Sequence, residues 1–142
     1  MVIFSDIDGV LRTERENIDE WNLLSVITLK YILTELKAKL VISSDWRLTS
    51  HELLKEKLNE YRLTDFLHKD WQTPHLVYKM SEYTGHRGRE IEDWLDRNKV
   101  NDFIIIDDVF DFYEDQKDKV YLVDSQQGLR PRDGVLIIEK LK

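Results

Sequence analysis

Val2-Ile3-Phe4-Ser5-Asp6-Ile7-Asp8-Gly9-Val10-Leu11 is the stretch on which the fold of this chain turns. A short, continuous apolar run ends in two carboxylates one residue apart, followed by a glycine. Continuous apolar character is what a strand covered on both faces requires, and such strands belong to parallel sheets. Asp6 and Asp8 can face one site if the chain turns after the strand, and Gly9 allows that turn. Two such carboxylates can divide the work of phosphoryl transfer. One attacks phosphorus when a cation screens the repulsion between anions. The other protonates the leaving oxygen and then deprotonates the incoming water. The plain alternative is a polar turn, since Asp-Gly is a common turn pair. On these residues alone the two readings stand level.

Working outward, the same pattern returns. Apolar runs at 40–42 and 103–106 end in Ser43-Ser44 and Asp107-Asp108, and a fourth strand is expected at 120–123. Between them lie helical patterns. Residues 21–37 carry Leu23, Leu24, Ile27, Tyr31, Leu33 and Leu36, which predicts a largely buried helix. Thr49 with Glu52 is a capping-box spacing and predicts a helix running to about Tyr61. Ile91, Trp94 and Leu95 predict a helix over 88–98, and a short helix follows Asp108. Pro131 suits the first turn of a last helix through Leu141. Residues 62–84 give no clear periodicity; short apolar pieces flank Thr73-Pro74. Alternating strands and helices predict an α/β fold, a three-layer α/β/α sandwich around a mainly parallel, Rossmann-like sheet. Ligands of such sheets bind beyond the carboxyl ends of the strands, where all of these polar groups fall.

Composition narrows the function classes. The chain of 142 residues has the size of one domain, expected over 1–142, and 42% of it is apolar, enough for one core. It contains no cysteine, which removes disulfides, thiolate metal sites and cysteine catalysis. No apolar stretch is long enough to span a membrane, and no secretory signal is visible, so a cytoplasmic protein with no membrane partner is the expectation. The formal net charge of −7 argues against broad electrostatic coating of nucleic acid, while leaving room for a local basic pocket.

The remaining candidates are weaker individually. Asp107 and Asp108 are costly to place together without a metal or donors, and oxygen ligands suit a hard cation such as Mg²⁺; the alternative is a solvated helix cap. Asp111 is either an outer member of that group or a first-turn residue. Ser43 and Ser44 can hold a phosphate oxygen, or are ordinary loop residues. Arg87 or Arg89 can neutralise a transferring phosphoryl group, or balance Glu90, Glu92 and Asp93 at the surface. His51, His68, His75 and His86 lack metal-ligand spacing and read as surface or loop residues. Trp21, Trp71 and Trp94 read as packing, and Trp46, which follows a site strand, as either packing or a base-stacking platform.

Taken together, the motifs resemble a known superfamily. Ser5-Asp6-Ile7-Asp8-Gly9-Val10-Leu11 looks like the first motif of the haloacid dehalogenase (HAD) superfamily. Val41-Ile42-Ser43-Ser44 is similar to its second, and Ile104-Ile105-Ile106-Asp107-Asp108 to its fourth in the Asp-Asp form. Ser43-Ser44-Asp45-Trp46-Arg47, Thr73-Pro74, Arg87-Gly88-Arg89-Glu90-Ile91 and Gly128-Leu129 further resemble the small capless domain of RNA-repair and polynucleotide-end-healing proteins. The resemblance implies a HAD-like fold with no large cap and a Mg²⁺-dependent phosphatase. In it, Asp6 is the nucleophile and Asp8 the acid–base. The metal lies on Asp6, the Asp8 carbonyl and Asp108, with Asp107 beside them. Phosphate lies on Ser44, with Ser43, Gly9 and Arg89 as further contacts. The superfamily's third motif is usually lysine; here Arg87 is the first choice, with Arg89 or Lys79 as alternatives. Asp45 must point away from any phosphate held at Ser44.

The implied substrate is an end phosphate of a nucleotide or polynucleotide, on an open site rimmed by Arg12, Arg15, Arg47, Arg87 and Arg89. The alternatives are a small-metabolite or phosphoprotein phosphatase of the same fold, or a noncatalytic Mg²⁺- or phosphate-binding module. No obligate protein partner is evident. A phosphorelay receiver domain fits less well, because its acidic pair closes the first strand and its phosphoacceptor the third.

Overall fold

The computed structural model describes residues 1–17, 19–76 and 86–141. The strands are β1 (Val2–Ser5), β2 (Lys39–Ile42), β3 (Leu67–Gln72), β4 (Phe103–Asp107) and β5 (Val120–Leu122). The helices are α1 (Leu23–Glu35), α2 (Trp46–Thr49), α3 (His51–Glu60), α4 (His86–Asn98) and α5 (Pro131–Leu141). Short 3₁₀ turns at Thr64–Phe66 and Glu114–Lys119 lead into β3 and β5.

The sheet has the order β3-β2-β1-β4-β5 and every described pairing is parallel. β1 is central: Ser5 pairs with Ile42 on one side and Ile106 on the other. Alternate side chains feed opposite faces. Ile3, Leu40, Ile42, Ile104 and Ile106 pack with α1, α3 and α5. Val2, Phe4, Val41, Phe103 and Ile105 pack with α4, where Phe4 meets Trp94 edge-on at 5.1 Å. The result is the expected three-layer α/β/α sandwich, with a fully parallel described sheet and no cap domain among the described residues. Among them, too, no helix is long and apolar enough to cross a membrane.

Three expectations need correction. β3, with the sequence Leu-His-Lys-Asp-Trp-Gln, was expected to be irregular and is an edge strand. It carries His68, which accepts from the Asp70 N–H at 3.0 Å, so this histidine is not a loop residue. The expected capping box fails: Thr49 closes α2, and α3 begins after Ser50, which makes no side-chain cap. α1 is not largely buried. It packs Val26, Leu29, Ile32 and Leu33 inward but leaves Leu23, Ile27 and Tyr31 more than half exposed.

Candidate active site

Parallel pairing brings three strand ends into one row. Past β1, the Asp6 N–H donates to the Ile106 carbonyl at 3.1 Å, so the nucleophile candidate is still held by the sheet. The Ser43 N–H likewise donates to the Ser5 carbonyl. Asp6 therefore lies between the ends of β2 and β4. Its carboxylate is buried: Oδ1 accepts from the Ile7 N–H at 2.8 Å, and Oδ2 is 2.9 Å from Arg87 Nη1. The same Arg87 nitrogen donates to Asp107 Oδ2 at 2.7 Å. Asp107 Oδ1 accepts from the N–H groups of Asp108 and Val109. One cation thus bridges two buried acids from neighbouring strands.

Arg87 reaches this point because the start of α4 is pressed against the segment after β4. The Gly88 N–H donates to the Asp111 carbonyl, and Gln116 Nε2 donates to the Gly88 carbonyl at 2.9 Å. A side chain at Gly88 would collide with the Phe112 and Tyr113 backbone, so glycine permits the contact. Asp111 is an outer member of this group, accepting from the Arg87 N–H at 3.4 Å. Arg89 lies exposed on another side of α4. Lys79 lies outside the described residues.

Gly9 serves the other wall. Its φ is +84°, and a Cβ there would fall on the Asp108 carboxylate. The turn after β1 can pass Asp108 only with no side chain at this position. Asp6, Asp107 and Asp108 each offer an oxygen within 4.8 Å of the others. Burial, then the neighbouring Asp107, pushes Asp6 up to about 6, with Arg87 opposing. Burial also raises Asp107 and Asp108 above the usual carboxylate range. Burial works to lower the proton affinity of Arg87, but Asp6 and Asp107 outweigh it and hold the guanidinium firmly charged. Three carboxylates against one guanidinium leave excess negative charge and an all-oxygen donor set. That combination fits a hard divalent cation.

Asp8 is more open, with both oxygens held. Arg12 Nη1 donates to Oδ1 and the Trp46 indole N–H to Oδ2, each at 3.0 Å. Trp46 therefore both packs and positions; its ring meets Trp21, which stacks on Tyr61. Ser44 Oγ accepts from the Trp46 N–H at 3.2 Å. Ser43 Oγ is buried and has no hydrogen-bond partner among the described residues, although Ser43 was the less favoured of the two serines. Asp45 points away, its side chain 73% exposed.

The arginine rim is corrected in part: Arg15 and Arg89 are exposed, and the other three are engaged elsewhere. Arg47 is buried, not rim-forming: it pairs with Glu90 at 2.9 Å and donates to the carbonyls of Ser44, Thr73 and Pro74. Arg12 is occupied by Asp8 and by the carbonyls of Asn17 and Glu16. Arg87 is inside the site. What sequence reasoning missed is a polar cavity of about 330 Å³ beside Asp8, completed by Ser125 and Gln126 after β5. No motif marks these two residues.

A parallel sheet carrying an Asp-x-Asp-Gly turn at its central strand and an acidic pair on the adjoining strand defines a hydrolase of the HAD superfamily. Residues 2–133 match the family described as the HAD domain in Swiss Army Knife RNA repair proteins, and the chain belongs to it. No curated protein and no solved structure matches the chain.

Proposed function

We propose that this domain is a Mg²⁺-dependent phosphomonoesterase that works through a phosphoryl-aspartate on Asp6. Its substrate is the end phosphate of a nucleotide or polynucleotide. The observation that carries the reading is the buried Asp6 carboxylate, 2.9 Å from an Arg87 nitrogen that also anchors on Asp107. Arg87 opposes the upward push of burial on Asp6 and holds its carboxylate in place, while a cation stands ready for the incoming phosphoryl oxygens.

An Asp6 oxygen attacks phosphorus, forming a P–O bond as the bond to the leaving oxygen breaks. Asp8, steadied by Arg12 and Trp46, gives its proton to that oxygen. Asp8 then takes a proton from water as the water oxygen attacks phosphorus. Inorganic phosphate departs and the Asp6 carboxylate is restored. Arg87 offsets charge on the phosphoryl group throughout. Ser43 and Ser44, with the backbone at Gly9, bind the phosphate oxygens. Asp6, Asp108 and the Asp8 carbonyl hold Mg²⁺, and Asp107 anchors Arg87 beside them. When bound, the metal screens the repulsion between nucleophile and phosphate and polarises the phosphoryl oxygens. The family's description, naming RNA repair, supports a nucleic-acid end over a metabolite.

Chelation tests this directly. Hydrolysis of an aryl phosphate should stop in excess chelator and return with Mg²⁺. Ca²⁺ should restore less, because its larger, looser shell misplaces the in-line attack. Full turnover in chelator overturns the reading. The metal should also raise the thermal unfolding midpoint, more at pH 8 than at pH 5. Burial pushes Asp6 up to about 6 and also raises Asp107 and Asp108, so protons compete for the same oxygens at lower pH.

A further inference from the structure

The reading above leaves open what holds the rest of the substrate, and the arginines narrow the answer. A run of backbone phosphates needs cations to meet it. Arg12 and Arg47, two of the expected rim, are committed to Asp8 and Glu90 and to main-chain carbonyls, and Arg15 and Arg89, though exposed, are not among the residues that line the space beside Asp8. The leaving oxygen must sit next to Asp8, so the leaving group must enter whatever space opens there. That space is the cavity of about 330 Å³ between the turn at 8–14 and the turn at 124–128.

Its walls are fixed in advance. The Leu129 N–H donates to the Val10 carbonyl at 2.7 Å and ties the two turns together. The Gly128 N–H donates to the Asp124 carbonyl and the Gln126 N–H to Asp124 Oδ1, each at 2.9 Å. Thr13 donates its N–H and its hydroxyl to Glu16. The volume falls at the lower end of small-molecule sites, roughly 300–1,000 Å³, which admits one nucleoside and not several. The lining holds Asp8, Glu14 and Asp108 against Arg12, so a second phosphate is disfavoured. Among the described residues no aromatic side chain lines it, so stacking is not its grip on a base. Its exposed Ser125 hydroxyl and Gln126 amide, with the Glu14 carboxylate, are hydrogen-bonding groups suited to sugar hydroxyls.

Resting on the phosphatase reading, we propose that this cavity binds the terminal nucleoside alone, and that Ser125 and Gln126 read its ribose hydroxyl beside the scissile phosphate. The domain is then specific for a ribonucleoside end and nearly indifferent to the chain behind it. One neutral hydrogen bond in an exposed cavity is worth about 1 kcal/mol, or several-fold to tenfold in preference.

The test compares a ribonucleoside 3′-phosphate, its 2′-deoxy analogue and an oligoribonucleotide with a 3′-phosphate. kcat/KM should favour ribose over deoxyribose by about tenfold, and the longer strand should gain less than about threefold. The salt slope on the oligonucleotide should stay well below the −0.7 expected for each neutralised single-strand phosphate. The double variant Ser125→Ala with Gln126→Ala should bring the ribose-to-deoxyribose ratio close to one at an unchanged unfolding midpoint. A wild-type ratio of one, or a ratio unmoved by the double variant, overturns the proposal. Equilibrium binding of the same ligands to the Asp6→Asn protein separates the two ideas. A ribose preference in binding without wild-type turnover sinks the phosphatase reading and keeps the cavity assignment; turnover without the preference does the reverse.

Discussion

Arg87 and Arg47 occupy two halves of the same strand-end surface, and both are ion-paired, yet they do opposite things. On the β2–β3 half, Arg47 is almost wholly buried; it pairs with Glu90 at 2.9 Å and more loosely with the exposed Asp45 at 3.7 Å, and donates to three framework carbonyls. It ties the turn after β2, the Thr73-Pro74 segment and α4 into one piece. On the β1–β4 half, Arg87 retains some exposure and spends a single nitrogen on two acids. The acids it meets are those raised by burial, and they outnumber it. A buried arginine surrounded by matched acceptors is scaffolding; one that leaves a local excess of negative charge marks a place built to receive something else. The difference lies in the bookkeeping of partners, which burial alone does not reveal.

The contrast can be broken at its strongest point by Asp6→Asn. The amide cannot attack phosphorus, so turnover should fall by more than about a thousandfold. Removing one of the crowded acids should leave the unfolding midpoint equal or higher. Near-normal turnover in this variant ends the covalent mechanism, and collapse of the fold ends the claim that the two halves are separable. The opposite half should give the opposite signature. Glu90→Ala removes the buried carboxylate of Arg47, leaving it only the exposed Asp45 and three carbonyls, and should cost about 3 kcal/mol of stability in chemical denaturation. The folded fraction should keep most of its kcat. A large kcat loss with unchanged stability would show that Arg47 belongs to the chemistry after all.

The finest distinction comes from Arg87→Lys. Because one arginine nitrogen makes both contacts, a single ammonium can replace it, and kcat should drop only about tenfold, roughly 1.4 kcal/mol. Arg87→Ala should lose far more. If lysine and alanine are equally damaging, the planar fork matters and the bridging nitrogen is not the active feature.

Much of this site was legible because its chemistry follows strand ends. Continuous apolar runs ending in Asp6, Ser43 and Asp107 predicted both the parallel sheet and the row of polar groups past it, since pattern and position carry the same information there. The chain was silent where partners, not periods, decide. β3 is a polar hexapeptide on an edge, so half-exposed side chains give it no buried-strand signature. α1 is apolar on nearly all sides, and the pattern could not say that the Leu23, Ile27 and Tyr31 side would remain open. Arg47 beside a site serine looked like a substrate contact; its true partners lie far along the chain, at Thr73, Pro74 and Glu90. Ser125 and Gln126 carry no spacing that separates them from an ordinary turn, and only the closure of two distant loops gives them a shared cavity.

The central place of β1 also sets a timetable. Asp6 is made well before its partner strand β4, which lies about 100 residues later in the chain. At ordinary rates of protein synthesis, ~5–20 residues per second, the gap lasts on the order of 5–20 seconds. Through that interval Asp6 has neither Arg87 nor Asp107 and is an ordinary solvated carboxylate. Long-range parallel pairing is itself among the slower events in folding. Through that interval the nascent chain carries Asp6 outside the charged environment of the finished site. Seating of β4 beside β1 brings Asp107 to Asp6 and buries both, so the acidic cluster forms only when this long-range pairing forms.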